Sequence, residues 1–334
     1  MDPYLLCLIS TYVPKHATLL TDLAEGKLIK EEKDGKTYAN GALHSFDDKP
    51  AEVVYGTSYW YKLGKLHRDD DKPAVVMAQG TKEWYRNGKL HRENDLPAIS
   101  VSNGACMWYR FGRKHRSGDN PAIIDSFGDK KEWWKNGQRH RDGDKPAVTS
   151  SSQIEFWCKN KLHRDGDEPA IIWTNGQKEW WKNGKRHRDD DKPAEIRADG
   201  TQLWYKKGQK HRDGDLPAVI YVDRTQMWCK KGFLHREGDK PAIIRADGTQ
   251  EWWKNGELHR NDDLPASIWI DGTQYWYKNG KCHRDGDLPA IIGANGDQYW
   301  FKNGKQHRDN DLPAIIRADG TQAWYKNGTQ YFPA

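Results

Sequence analysis

The sequence predicts an all-β chain: a tandem array of antiparallel β-hairpins, drawn out as an elongated twisted sheet or solenoid, behind a short N-terminal helical segment. Three observations predict it. Histidines recur at His44, His67, His91, His115, His140, His163, His187, His211, His235, His259, His283 and His307, and eight of the eleven intervals are 24 residues. A tryptophan stands seven residues before nearly every one, at Trp60, Trp84, Trp108, Trp133, Trp180, Trp204, Trp228, Trp252, Trp276 and Trp300. Two turn signatures alternate through each unit, Asn-Gly and Asp-Gly. Residues 34–334 thus divide into about twelve copies of one module, and residues 1–33 stand apart.

The stretch Thr249–Gly272, TQEWWKNGELHRNDDLPASIWIDG, displays the module. Lys-Asn-Gly after the aromatic pair is the signature of a type I′ hairpin turn, because both central residues need positive φ. Asp271-Gly272 closes the copy, and segments rich in Trp, Ile and Val between the turns predict strands. Each module is expected to supply two principal strands, the second interrupted by an Asp-x-Pro bulge, since proline has no N–H for a ladder. Counting by twos from the Pro-Ala step puts Ala242, Ile244 and Ala246 on one face. Glu52, Glu195, Arg197, Arg245 and Arg317 then fall on a tolerant, half-solvated face.

The irregular intervals are expected in turns, where length changes leave strand register intact. An extra residue before His140 falls within Asp125–Lys131, and the short interval before His67 has lost one near Gly56. Trp157 precedes His163 by six residues, so the missing residue there is assigned to the glycine that should follow Asn160.

Composition agrees with an ordered chain whose core is aromatic. Only 36% of residues are hydrophobic and 31% charged, yet the chain carries 17 Trp and 15 Tyr, each of which buries a large area. A single hairpin is not stable in water, so copies must cover one another. Trp84, Trp108, Trp133, Trp180, Trp204, Trp228, Trp252, Trp276 and Trp300, with His91, His187, His211 and His259, are the expected repeat core. The net charge of +6 is the difference of two well-mixed signs and does not mark a nucleic-acid binder. Cys7, Cys106, Cys158, Cys229 and Cys282 fall at unrelated repeat positions and read as free thiols of a reducing, intracellular compartment. Asp2 stands where a secretory leader carries its basic residues, and no stretch has the length of a membrane span.

Asp2-Pro3 fits a helix cap with proline at the first helical position, and Leu5, Leu6, Leu8, Ile9 and Val13 give an apolar helix ended by Pro14. A cap over the first open sheet edge is the simplest role for it.

The block Trp180, Lys182, Asn183, Gly184, Lys185 and His187 resembles the MORN repeat, a β-hairpin unit of similar length. The likeness covers roughly residues 34–334. Downstream, the family's His-Gly-x-Gly is replaced by His-Arg-Asp-Gly-Asp-x-Pro-Ala, so this is a variant, similar to arrays of large DNA viruses of amoebae. Pro3, Leu6, Ile9, Tyr12, Val13 and Pro14 resemble the start of F-box segments in such viral proteins. The resemblance implies a protein-interaction module with no catalytic residues, placed in the host cytoplasm or on the virion.

Four constellations invite chemistry. A ladder of histidines beside carboxylates suggests a divalent metal, but identical groups at regular separation do not converge as ligands must, and no metal or other cofactor is expected. Asp-Gly-Asp triplets such as Asp213–Asp215 resemble calcium loops but end too soon, and tight-turn chemistry explains them. The arginine after each histidine suggests a grip on nucleic acid or anionic lipid, but the flanking acids favour charge pairing within the array. Trp173, Tyr221, Trp269 and Phe233 break the repeat on polar faces and are candidate partner contacts. The expected function is a non-enzymatic scaffold for protein partners. An F-box-like adaptor to a host ubiquitin ligase and a virion-associated structural protein are the alternatives.

Overall fold

A computed structural model of the chain describes residues 28–333. They form strands, turns and loops, with no helix among the described residues. Of the segment 1–33 expected to be helical, residues 1–27, with Pro3, Leu6, Ile9, Tyr12, Val13 and Pro14, lie outside them, and its end is a strand, Lys30–Lys33, so the hairpin array begins before residue 34. The chain divides into two compact units, Met1–Lys161 and Leu162–Ala334.

The first unit opens with the antiparallel strands Lys30–Lys33, Lys36–Ala39 and Ala42–Leu43. An antiparallel ladder then runs from Glu52–Val54 and Thr57–Tyr59 to Val148–Thr149 and Gln153–Glu155, each strand pairing with the next. The second unit builds the same ladder from Ile171–Trp173 and Lys178–Glu179 to Ile315–Ile316 and Gln322–Lys326.

Each module contributes more to the fold than this ladder. In the copy around Trp252, Gln250–Glu251 pairs with Ser267–Ile268 in the ladder, while Trp253–Lys254 pairs with Glu257–Leu258 in a separate local hairpin. Four short strands in two kinds of sheet therefore replace the two longer strands expected. The tryptophan is the reason. The Trp252 N–H donates to the Ala266 carbonyl (2.8 Å) of the ladder, and its own carbonyl accepts the His259 N–H (3.0 Å) of the hairpin. With its two backbone groups turned to different neighbours, the chain changes sheets at that residue. Asn255 (φ 52°) and Gly256 (φ 88°) then make the expected type I′ turn. Pro265 sits outside both sheets, as a residue without an N–H must.

The core is a column of tryptophans against a column of alanines. Trp252 is 6% exposed and Ala266 0%, and the same pair recurs through both units. Ala242 belongs to this seam, so the ladder's two-residue period starts one position later than the sequence suggested. Ile243 is buried, Ile244 is half-buried and Ala246 is exposed. Glu52 and Glu195, assigned to a half-solvated face, are buried for the same reason, whereas Arg197, Arg245 and Arg317 are exposed.

The His163 copy also differs from expectation. Phe156, 5% exposed, occupies the tryptophan site, and Trp157 is the second aromatic of the pair. Lys159 (φ 47°) and Asn160 (φ 63°) form the hairpin turn, so no glycine is missing there. The residue was lost from the shortened turn at Ser150–Gln153, closed by the Ser150 N–H donating to the Gln153 carbonyl (2.9 Å). Register inside the hairpin is kept because the deletion falls where side chains need not match across strands.

Candidate interaction surface

The residues that invited chemistry bind successive modules to one another. The Arg236 guanidinium lies 3.7 Å from the centre of the Trp228 ring and donates through Nε to Asp215 Oδ1 (2.7 Å) and through Nη2 to Asp215 Oδ2 (3.2 Å). Its Nη1 donates to the Pro241 carbonyl (3.2 Å), and the Trp228 indole N–H donates to the Asp215 carbonyl (3.0 Å). Asp215 lies 21 residues before Arg236, so each guanidinium clamps the preceding module. Arg68, Arg92, Arg116 and Arg141 repeat this in the first unit, and Arg188, Arg212, Arg260, Arg284 and Arg308 in the second. Hydrogen bonds from Arg236 and Lys240 hold the Asp215 carboxyl down to about 2. A planar fork stacked on an indole and bidentate on a carboxylate suits arginine alone.

Histidine makes the second tie. His283 Nδ1 accepts the Asn303 backbone N–H (3.3 Å) of the following module, and Nε2–H donates to Asp285 (2.9 Å). Those two bonds together require a neutral ring protonated on Nε2. His67, His163 and His307 are held between the next turn and their own acid in the same way. At His187 and His211 the next turn carries Lys207 and Lys231 instead of asparagine, and Nδ1 is buried without a hydrogen bond.

In the Asp-Gly-Asp triplets the first acid meets its histidine and a lysine, as Asp213 meets His211 and Lys206, while the last meets the next arginine. No group of three His, Cys, Asp or Glu side chains is arranged to hold a metal ion among the described residues. Cys106, Cys158, Cys229 and Cys282 are free thiols. Among the described residues no helix is long and apolar enough to cross a membrane, which says nothing of a β-barrel.

The departures from the repeat gather elsewhere. Trp173, Tyr221 and Trp269 share one repeat position with Arg197, Arg245, Gly293 and Arg317, so aromatic and arginine alternate from Trp173 to Trp269 and Gly293 breaks the order. Each opens the turn between two ladder strands, as the Trp269 N–H donating to the Thr273 carbonyl (2.9 Å) shows. Trp269 is 48% exposed and its ring centre lies 5.2 Å from that of Tyr275. Two arginines of this column are held by buried acids, Arg197 by Glu195 (3.0 Å) and Arg245 by Glu251 (2.7 Å). Phe233, 60% exposed, is not in the column; it lies on the hairpin strand Phe233–Leu234 with its ring edge over Gly256.

Sequence reasoning missed the layer behind that column. Arg186 lies between Glu179 (2.7 Å) and Glu195 (3.0 Å), with its guanidinium 5.2 Å from the Trp181 ring centre and 5.3 Å from that of Tyr205. Arg139 sits likewise on Trp134 (5.0 Å) and Trp157 (4.7 Å), bonded to Glu132 (3.1 Å). Although burial pushes the Glu132 carboxyl up, Lys130, Trp134 and Arg139 outweigh it and hold the group below its usual range. The only sequence signal for this layer is an arginine just before the repeat histidine, at two places.

Toward the C-terminal end of the second unit that layer opens into a cavity of about 870 Å³. Tyr275, Ile291, Tyr299 and Phe301 form its walls, with Asp271, Asp297 and Lys305 around them and Gly293 where neighbouring modules carry Trp269 and Arg317. Asp297 Oδ1 accepts the Ala318 N–H (2.8 Å) and its Oδ2 accepts the Tyr299 hydroxyl (3.0 Å), which together hold this carboxyl below its usual range. Asp271 accepts the Thr273 N–H (2.8 Å) through one oxygen. Compared with known proteins, the chain matches no family model, and no curated protein matches it.

Proposed function

We propose that this chain is a non-enzymatic repeat scaffold that binds a protein partner, a variant of the MORN-like hairpin array. One observation carries the reading. The repeated Arg and Asp, and most of the repeated His, are committed to neighbouring modules, while Trp173, Tyr221 and Trp269 align in one column, half-buried at the first two and exposed at Trp269, with a cavity beside it. Partly accessible aromatics flanked by ion-paired arginines are the composition of a protein-binding surface. A nucleic-acid or anionic-lipid partner is less favoured, because Arg197 and Arg245 face carboxylates. A viral setting in host cytoplasm, and an F-box-like adaptor role, rest on sequence resemblance.

The test is affinity purification of the whole chain beside a variant with Trp173→Ala, Tyr221→Ala and Trp269→Ala together. A partner held by the parent and lost by the folded variant supports the reading. Equal recovery with both chains moves the binding surface elsewhere, and recovery of no protein by either removes the scaffold role.

A further inference from the structure

We propose that the cavity beside Gly293 receives a cationic side chain, an arginine presented by an exposed segment of a partner protein. This rests on the scaffold reading and adds the chemistry that one part of the surface recognises.

The array contains its own example of the occupied site. Counting four modules of 24 residues back, Tyr275, Ile291 and Phe301 stand where Glu179, Glu195 and Tyr205 surround Arg186. Cys282 stands where Arg186 does. In the Arg186 module the space between hairpin and ladder is filled by a guanidinium lying over Trp181 and Tyr205. In the Cys282 module no arginine stands at that position, and a space of about 870 Å³ is lined by Tyr275, Ile291 and Phe301, the counterparts of three residues around Arg186. Three aromatic rings, Tyr275, Tyr299 and Phe301, line the space, and an aromatic enclosure attracts a cation through the negative faces of its rings.

Charge points the same way. The carboxylates nearby have moved from the inner walls, where Glu179 and Glu195 would be, to the surrounding turns at Asp271 and Asp297. Against those two acids the lining has one ammonium, Lys305, so the balance is negative. Lys305 belongs to a hairpin strand and is exposed, which leaves its head group in water while its stem contributes apolar surface. A long cationic side chain entering past Gly293 meets aromatic faces first with an acid in reach, as Arg186 does within the chain. A phosphate or carboxylate ligand would meet those acids and is not the expected occupant.

The probe is the blocked peptide acetyl-Gly-Arg-Gly-amide, titrated into the full chain at low salt and followed by the tyrosine and phenylalanine ring resonances. Its control is the citrulline peptide, which keeps the shape and loses the charge. The arginine peptide should move the signals of Tyr275, Tyr299 and Phe301 and bind about fivefold to tenfold more tightly than the control. Cys282→Arg, which restores the residue of the Arg186 module, should abolish binding by filling the space from within. Tyr299→Leu, which copies Leu203 of an intact module, should weaken it while the remaining ring signals report a folded chain. Equal affinity of the two peptides, no movement of these resonances, or undiminished binding to a folded Cys282→Arg chain would overturn the proposal. Peptide binding that fails while a protein partner is still captured through Trp173, Tyr221 and Trp269 refutes the cation pocket alone. Peptide binding without any captured partner refutes the scaffold and keeps the pocket.

Discussion

Arg236 stacks on Trp228 of its own module while it clamps Asp215 of the module before, so one side chain joins the aromatic core to the interface between copies. Replacing it with lysine keeps a charge but removes both the flat face and the second hydrogen bond. Arg236→Lys should therefore destabilise the second unit by about 1–2 kcal/mol. Urea unfolding followed by tryptophan emission checks this, and a change within a few tenths of a kcal/mol would mean the stack contributes little.

Hydrogen bonds from their neighbours hold the carboxyls of Asp215, Glu237 and Asp309 down to about 2. Groups depressed by folding add stability that is complete above the ordinary carboxylate range and is lost as pH falls toward 2. The array should hold its melting temperature from pH 7 to about pH 5 through these groups and lose it steeply below about 4.

His44 and His115 differ from their counterparts: Phe46 and Ser117 stand where the others have an acid or asparagine, and burial lowers both imidazoles below 6.5. A histidine whose folded value is depressed loses stability as pH falls through its unfolded value, because the unfolded chain takes up the proton first. Ser117→Asp puts a carboxylate where the Ser117 hydroxyl now meets His115 Nε2 (3.4 Å), so the His115 NMR titration should move upward and that mild-acid loss should shrink. An unchanged titration would mean that the introduced carboxylate does not reach the ring.

Lys207 adopts φ 52° in the turn before Gly208, a conformation that asparagine takes more readily. Lys207→Asn should stabilise the second unit by about 0.5–1 kcal/mol. It should also bring the backbone N–H of the substituted residue within reach of His187 Nδ1, which is now buried without a partner. Slower exchange of that amide is the specific signature.

Ala266 has no exposed surface against the tryptophan seam. Ala266→Leu should cost about 1–3 kcal/mol by overpacking, whereas Ala246→Leu, in an exposed turn, should change little. Thermal melts of the two variants separate the seam from the rim.

Much of this fold was legible because its signals are local. Asn255-Gly256 fixes a hairpin by backbone sterics, and the 24-residue recurrence of Trp and His announces stacked copies. What stayed hidden depends on distance in sequence. Arg236 and Asp215 are 21 residues apart, and nothing in the motif says that the arginine passes over the acid beside it. Glu195 looks like a surface residue until Arg186 and Arg197 are seen on either side of it. Phe156 was hidden because Trp157 next to it looks like the better core residue, and only the φ values of Lys159 and Asn160 settle the register. Trp173, Tyr221 and Trp269 were visible as exceptions and their 48-residue spacing puts them at one repeat position, but the cavity is a shortage of side-chain volume that no motif records.

The fold depends on each tryptophan amide being sealed against the alanine carbonyl of its own copy, as Trp252 is against Ala266 at 2.8 Å. Native-state hydrogen exchange resolved to single amides tests it most directly. Trp180, Trp204, Trp228, Trp252, Trp276 and Trp300 should be among the slowest-exchanging amides of the second unit, with the Asp-Gly turn amides far faster. Tryptophan amides that exchange as quickly as those turns would contradict the account.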